Sequence, residues 1–162
     1  MSKYFYCYHL ILYKKFFKEH LLNTFNQCLI DTIYQLETRH TLNLVTDENL
    51  NIILIEDGFS IYYEALNEIK KKKDFSFGII ISIIKNWKKE KIKNIIKSSF
   101  EWKKNYPDLI CVIDLNSDEE NFPSFNNLKD LLLPVEKMRK EHSIYLPWIL
   151  DCGESLRYKT EN

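Results

Sequence analysis

The chain has 162 residues, and its 23 lysines and arginines balance 23 aspartates and glutamates, so no net field draws it to nucleic acid or an acidic membrane. A hydrophobic content of 45% with 14% aromatics argues against disorder. The length suits one domain with a proper core but is small for a closed (β/α)₈ barrel, typically ~250 residues.

From the N-terminus, an apolar run through Leu12 follows a single lysine, lacks a small-residue cleavage site and runs into Lys14 and Lys15. Residues 1–12 are therefore either a weak signal segment or extraneous to the domain. Phe17, Leu21, Phe25, Cys28 and Leu29 recur at helical spacing and predict a helix over residues 13–29, followed by a strand over 32–38. Residues 40–58 start polar, carry an apolar patch at 52–55 and read mostly as loop. A second helix is predicted over 59–72 with Ile61, Ala65, Leu66 and Ile69 inward. The β-branched run at 77–84 reads as a strand buried on both faces.

A third helix over 87–105 turns Ile92, Ile95, Ile96, Phe100 and Trp102 inward, and Pro107 ends it. A third strand over 109–115 leads through an acidic loop to a helix over 127–142, which Pro134 is expected to kink or split. A fourth strand is predicted over 144–150. Strands separated by helices specify an α/β fold with a parallel sheet of right-handed βαβ units. No run reaches the ~20 apolar residues of a membrane helix. No Gly-rich phosphate loop follows any strand.

Most polar features have an ordinary reading. The lysines at 70–73 and Lys88, Lys89, Lys91, Lys93 and Lys97 alternate with apolar helical positions, which favours a solvated face over nucleic-acid contact. Asp118, Glu119 and Glu120 are adjacent in a loop and do not converge on a cation. His9, His20, His40 and His142 show no HxH or HExxH spacing, and His20 and His142 read as helix-surface residues. Cys7, Cys28, Cys111 and Cys152 form no CxxC pair, so buried thiols are favoured over a disulfide. Glu37 and Arg39, two apart on the first strand, share a face; an ion pair between them is the default and a substrate-facing role the alternative. The last strand runs into Asp151-Cys-Gly153-Glu154, which places two carboxylates and a glycine at a strand tip, where α/β folds keep their chemistry. Taken alone, a capped turn is favoured there over a catalytic dyad.

Four segments taken together resemble the growth-factor-type adenosine deaminases, the secreted branch of that family. Asp31-Thr-Ile-Tyr-Gln-Leu-Glu-Thr-Arg39 is similar to the family's D-N-V-x-Y-x-E-x-R strand. Tyr62-Tyr-Glu-Ala-Leu with Phe77-Gly-Ile-Ile-Ile resembles its next helix and strand. Tyr106-Pro-Asp-Leu-Ile-Cys-Val-Ile-Asp-Leu-Asn-Ser-Asp-Glu resembles F-P-D-x-I-A-G-F-D-L-V-G-x-E, and Leu146-Pro-Trp-Ile-Leu-Asp-Cys-Gly-Glu-Ser resembles L-P-x-F-F-H-A-G-E-T. The four occur in the family's order and cover the chain from about Tyr13 onward.

The resemblance implies a partial, half (β/α)₈ barrel of about four strands within one incomplete domain spanning residues 1–162. It implies zinc-assisted hydrolytic deamination of adenosine, in which the metal activates a water and a glutamate protonates the purine. Glu154 matches the proton donor, and Asp151 stands where the family has a zinc-ligand histidine. Ser117 takes the position of a glycine whose backbone approaches the base, and Gly153 and Glu37 are the remaining substrate-binding candidates. The family's H-x-H pair is not reproduced by His9-Leu-Ile, its other metal ligands would fall beyond Asn162, and Asn86 replaces a histidine. The expectation is thus a divergent fragment or pseudoenzyme, inactive as this chain, with zinc a cofactor of the family that this chain does not hold stably. The alternatives are a non-catalytic interaction module, or a truncated product of an active deaminase. The expected ligand is adenosine or a related purine nucleoside, with no nucleic acid or membrane partner, an extracellular location, and self-association through exposed sheet edges.

Overall fold

The computed structural model describes residues 10–41, 45–116 and 128–150. Helices and strands alternate: α1 (Lys14–Ile30), β1 (Gln35–Thr41), α2 (Ile55–Lys70), β2 (Ser76–Ile84), α3 (Lys89–Asn105), β3 (Ile110–Asn116), α4 (Lys129–His142) and β4 (Trp148–Leu150). The four strands are parallel and lie in the order β1-β2-β3-β4, the order of consecutive strands in a half (β/α)₈ barrel. The α/β fold expected from the sequence is the one observed. The chain divides into two compact units, Met1–Glu37 with Thr41–Phe77, and Thr38–His40 with Gly78–Asn162.

The first unit has an aromatic core. Phe17, Leu21 and Phe25 recur along the buried stripe of α1, and Phe59, Tyr62, Ala65, Leu66 and Ile69 along that of α2. Phe25 packs at 5.2 Å from Phe75 and 4.8 Å from Phe77, and Phe17 meets Tyr62 edge-on at 5.1 Å. Helix α2 starts four residues before the position expected, because Gly58 is helical and its N–H bonds the Leu54 carbonyl. Glu56 and Asp57 then fall in the first turn and Lys70 in the last, each favoured by the helix dipole.

The second unit has an aliphatic core. Ile79, Ile81 and Ile83 of β2 and Ile110, Ile113 and Leu115 of β3 are all essentially inaccessible, as are Ile92, Ile96 and Phe100 of α3. Strands β2 and β3 pair Ile79 with Ile110 but Ile80 with Val112, so Cys111 is an extra residue in the ladder, a β-bulge. From there the register runs Ser82 to Asp114 and Ile84 to Asn116.

Three boundaries differ from expectation for local reasons. Strand β1 begins at Gln35, because Thr32 adopts a left-handed φ of 59° and the Ile33 N–H closes α1 onto the Cys28 carbonyl. Pro134 does not split α4, which is one helix. The bond it removes is the one to the Asp130 carbonyl, in an exposed first turn where water can replace it. Strand β4 is only three residues long. The chain before it is spent on ending α4: Ser143 is left-handed, Ile144 N–H bonds the Arg139 carbonyl, and Arg139 holds the Leu146 carbonyl at 2.7 Å.

Candidate functional site

All of the candidate site lies in the second unit, at the carboxyl ends of the parallel strands. Residues alternate sides along a strand. Ser82, Asp114 and Asn116 therefore share the face opposite Ile81, Ile83, Ile113 and Leu115. Asp114 is completely buried there. Its Oδ2 accepts from the Nε of Arg39 at 2.7 Å and from the Nδ2 of Asn116 at 2.7 Å. Asn116 also donates to the Ser82 hydroxyl. The second carboxylate oxygen, Oδ1, is buried with no hydrogen-bond partner among the described residues.

Strand spacing explains the choice of residues. Adjacent strands stand ~4.8 Å apart, so a group on β1 must cross ~10 Å to reach β3. Arginine is long enough to span that distance. The Arg39–Asp114 pair joins residues 75 apart in sequence. The arginine remains 54% exposed while its carboxylate partner has no exposure at all. Lys85, at the end of β2, is also buried, with only 4% of its surface exposed.

Burial on β1 alternates as the sheet requires, with Gln35, Glu37 and Arg39 exposed and Leu36, Thr38 and His40 half-buried. His40 thus lies on the opposite face from Arg39. Burial pushes its imidazole down from the usual 6.5 to about 4, so it is neutral at physiological pH.

Of the residues expected from sequence, Glu37 is exposed on β1, and the carboxylate that Arg39 meets is Asp114 rather than Glu37. Ser117, Asp151, Gly153 and Glu154 lie outside the described residues, as does the acidic loop at 118–120. His20 is exposed on α1, and the lysines of α2 and α3 line solvated faces. His142 stacks on Phe100 and stands 3.5 Å from Glu101. Cys28 and Cys111 are half-buried and form no disulfide among the described residues, and the Cys111 thiol donates to the Ile79 carbonyl at 3.1 Å. Among the described residues no group of three or more His, Cys, Asp or Glu could hold a metal, and no helix is long and apolar enough to cross a membrane.

Sequence reasoning passed over Asp114, Asn116 and Ser82 as site residues. The one available signal was a carboxylate and an amide two apart at the end of a β-branched run, which breaks the apolar pattern on a single face.

The first unit holds a separate cleft of about 720 Å³ lined by Lys14, Lys15, Lys18, Asp47, Asp57 and Glu64 among others. Its charges offset one another: Lys18 pairs with Glu64 at 3.2 Å. Hydrogen bonds from Asn51, first from its N–H, and from the Asn49 N–H hold the Asp47 carboxyl below its usual range.

The chain matches no protein-family model and no curated protein.

Proposed function

We propose that this chain is a divergent adenosine-deaminase-like α/β unit that does not deaminate adenosine by itself. The observation that carries the reading is the Arg39–Asp114 pair. Arg39 ends the segment similar to the family's E-x-R strand, and Asp114 is the aspartate of the segment similar to its D-L strand end. Two motifs that carry the resemblance thus meet at the carboxyl ends of a parallel sheet, the end at which α/β enzymes keep their sites.

Hydrolytic deamination divides its work between a metal-activated water and a proton donor. Glu154 stands at the donor position, and a positioned general acid contributes only ~10²–10⁴-fold. Asp151 stands at a ligand position, where a carboxylate is an acceptable zinc ligand. The four histidines of this chain have none of the H-x-H spacing that would complete a metal centre around it. Without an activated water the glutamate has nothing to assist, and Ser117 replaces the glycine whose backbone approaches the base in the family.

The test is the absorbance fall as adenosine becomes inosine, measured with and without added zinc. No turnover above background is expected for adenosine or 2′-deoxyadenosine, and Asp151→His is not expected to rescue it. Turnover by the unmodified chain that disappears in Glu154→Gln would make it a working deaminase and overturn the reading.

A further inference from the structure

Residues 45–54 form a small ladder within the first unit, separate from the four-stranded sheet. Thr46 pairs in parallel with Tyr13 and antiparallel with Ile52. The antiparallel bonds run from Asp47 N–H to the Asn51 carbonyl at 2.8 Å and from Ile53 N–H to the Val45 carbonyl at 3.0 Å. In that pattern the two facing residues, Thr46 and Ile52, turn their own N–H and C=O groups away from each other. Thr46 uses both of its groups, accepting from the Lys14 N–H and donating to the Leu12 carbonyl. The N–H and C=O of Ile52 have no partner among the described residues. Ile52 is therefore an open β-edge.

The side chains along this edge are apolar and exposed: Leu50 at 78%, Ile52 at 59% and Leu54 at 71%. Leu50 has a φ of 63°, a left-handed conformation that bulky residues rarely adopt. The turn enforces it, since the Asp47 carboxylate accepts from the Asn49 and Asn51 N–H groups at 2.9 and 2.8 Å. Exposed edges are usually protected by a lysine, a proline or an inward charge. Residues 50–54, Leu-Asn-Ile-Ile-Leu, contain none of these.

We propose that residues 50–54 are a self-pairing edge through which two copies of this chain form a weak homodimer. The segment reads nearly the same in both directions about Ile52. With a two-fold axis there and antiparallel strands, Ile52 lies opposite its own copy and Asn51 opposite the copy of Ile53, while Leu50, left-handed, stands just outside the extended stretch. Ile52 then exchanges both of its outward bonds with its copy, the two Ile52 side chains meet, and no charge within the segment faces a like charge. A two-fold contact demands this self-complementarity, whereas an unrelated strand would have to supply it by chance. Three aliphatic side chains and a short edge bury well under the ~800 Å² per partner of a standard interface, so the dimer is weak and concentration-dependent.

Sedimentation velocity from micromolar to submillimolar protein tests this, together with a cysteine placed on the axis. A hydrogen-bonded antiparallel pair has a Cα separation of ~5.5 Å, inside the ~4.4–6.8 Å range of a disulfide. Ile52→Cys is expected to cross-link to a dimer on mild oxidation. Asn51→Cys, whose copy lies ~7–8 Å off on the diagonal, is expected not to cross-link beyond the background of the native thiols. Ile52→Lys sets two charges against each other at the axis and is expected to raise the dimer dissociation constant at least about tenfold. Ile52 is mostly exposed, so both variants keep the fold, which circular dichroism checks. A monomer at every concentration, a dimer indifferent to Ile52→Lys, or equal cross-linking at positions 51 and 52 would overturn the proposal.

Discussion

The two faces of the β2–β3 pair use the same strands to opposite ends. One face is dry, with Ile81, Ile83, Ile113 and Leu115 all at or below 1% exposure. The other places Ser82, Asp114 and Asn116 side by side and calls Arg39 across from β1 to neutralise a carboxylate that no water reaches. Aliphatic burial is non-directional and tolerates shuffling of similar side chains. A buried carboxylate tolerates none, because each bond it loses is felt in full. The apolar face holds the strands together; the polar face specifies which residue stands where.

The sharpest way to break this contrast is Arg39→Ala, which leaves the carboxylate of Asp114 buried without its cation. Unpairing a buried charge costs about 3–5 kcal/mol, and the exposure of Arg39 places this one near about 3 kcal/mol. Urea unfolding measures it, and Arg39→Lys is expected to recover only part because it lacks the Nε donor.

The dry face has a titration of its own through His40. Its folded value of about 4 lies below the ordinary 6.5, so between those values the unfolded chain binds more protons than the folded one. The stability this confers is complete above about pH 6.5, falls as pH drops, and is gone below about pH 4, a loss of about 3 kcal/mol. Thermal unfolding from pH 7 to 4 is expected to show a shallower decline in His40→Gln than in the parent chain. Equal slopes would mean that the imidazole is not held neutral by burial.

The smallest effect sharpens the comparison from the other side. Glu37 is on the same side of β1 as Arg39 but exposed, so Glu37→Gln is expected to change stability by no more than about 0.5 kcal/mol. A larger loss would mean that the polar network extends further along β1.

These contrasts were only partly legible in the sequence. Local periodicity was: Ile61, Ala65, Leu66 and Ile69 are buried where helical spacing placed them, and Phe17, Leu21 and Phe25 likewise. So was the alternation of four strands with helices. Boundaries were less so, because Gly58 sits within a helix start, and the carbonyl that Pro134 leaves unbonded, Asp130, lies in an exposed first turn. The site was least legible. The pairing of Glu37 with Arg39 was expected because the two are neighbours, whereas the carboxylate that Arg39 meets, Asp114, comes from β3. No local pattern encodes an ion pair that spans three strands. The edge at Ile52 was visible as an apolar patch, but its open backbone groups follow from the pairing of Thr46 alone.

The bulge at Cys111 sets the parity of β3. Had the register continued evenly from Ile79 and Ile110, Asp114 would fall opposite Ile83 and project into the aliphatic layer, while Ile113 would face Ser82. One extra residue therefore decides which side of the strand is charged. Residue 111 acts on that outcome through its place in the count, and its thiol adds one bond, to the Ile79 carbonyl at 3.1 Å. Its presence is everything: β3 should accept exchange at this position and reject deletion, so that for this strand the count of residues carries information that the letters do not.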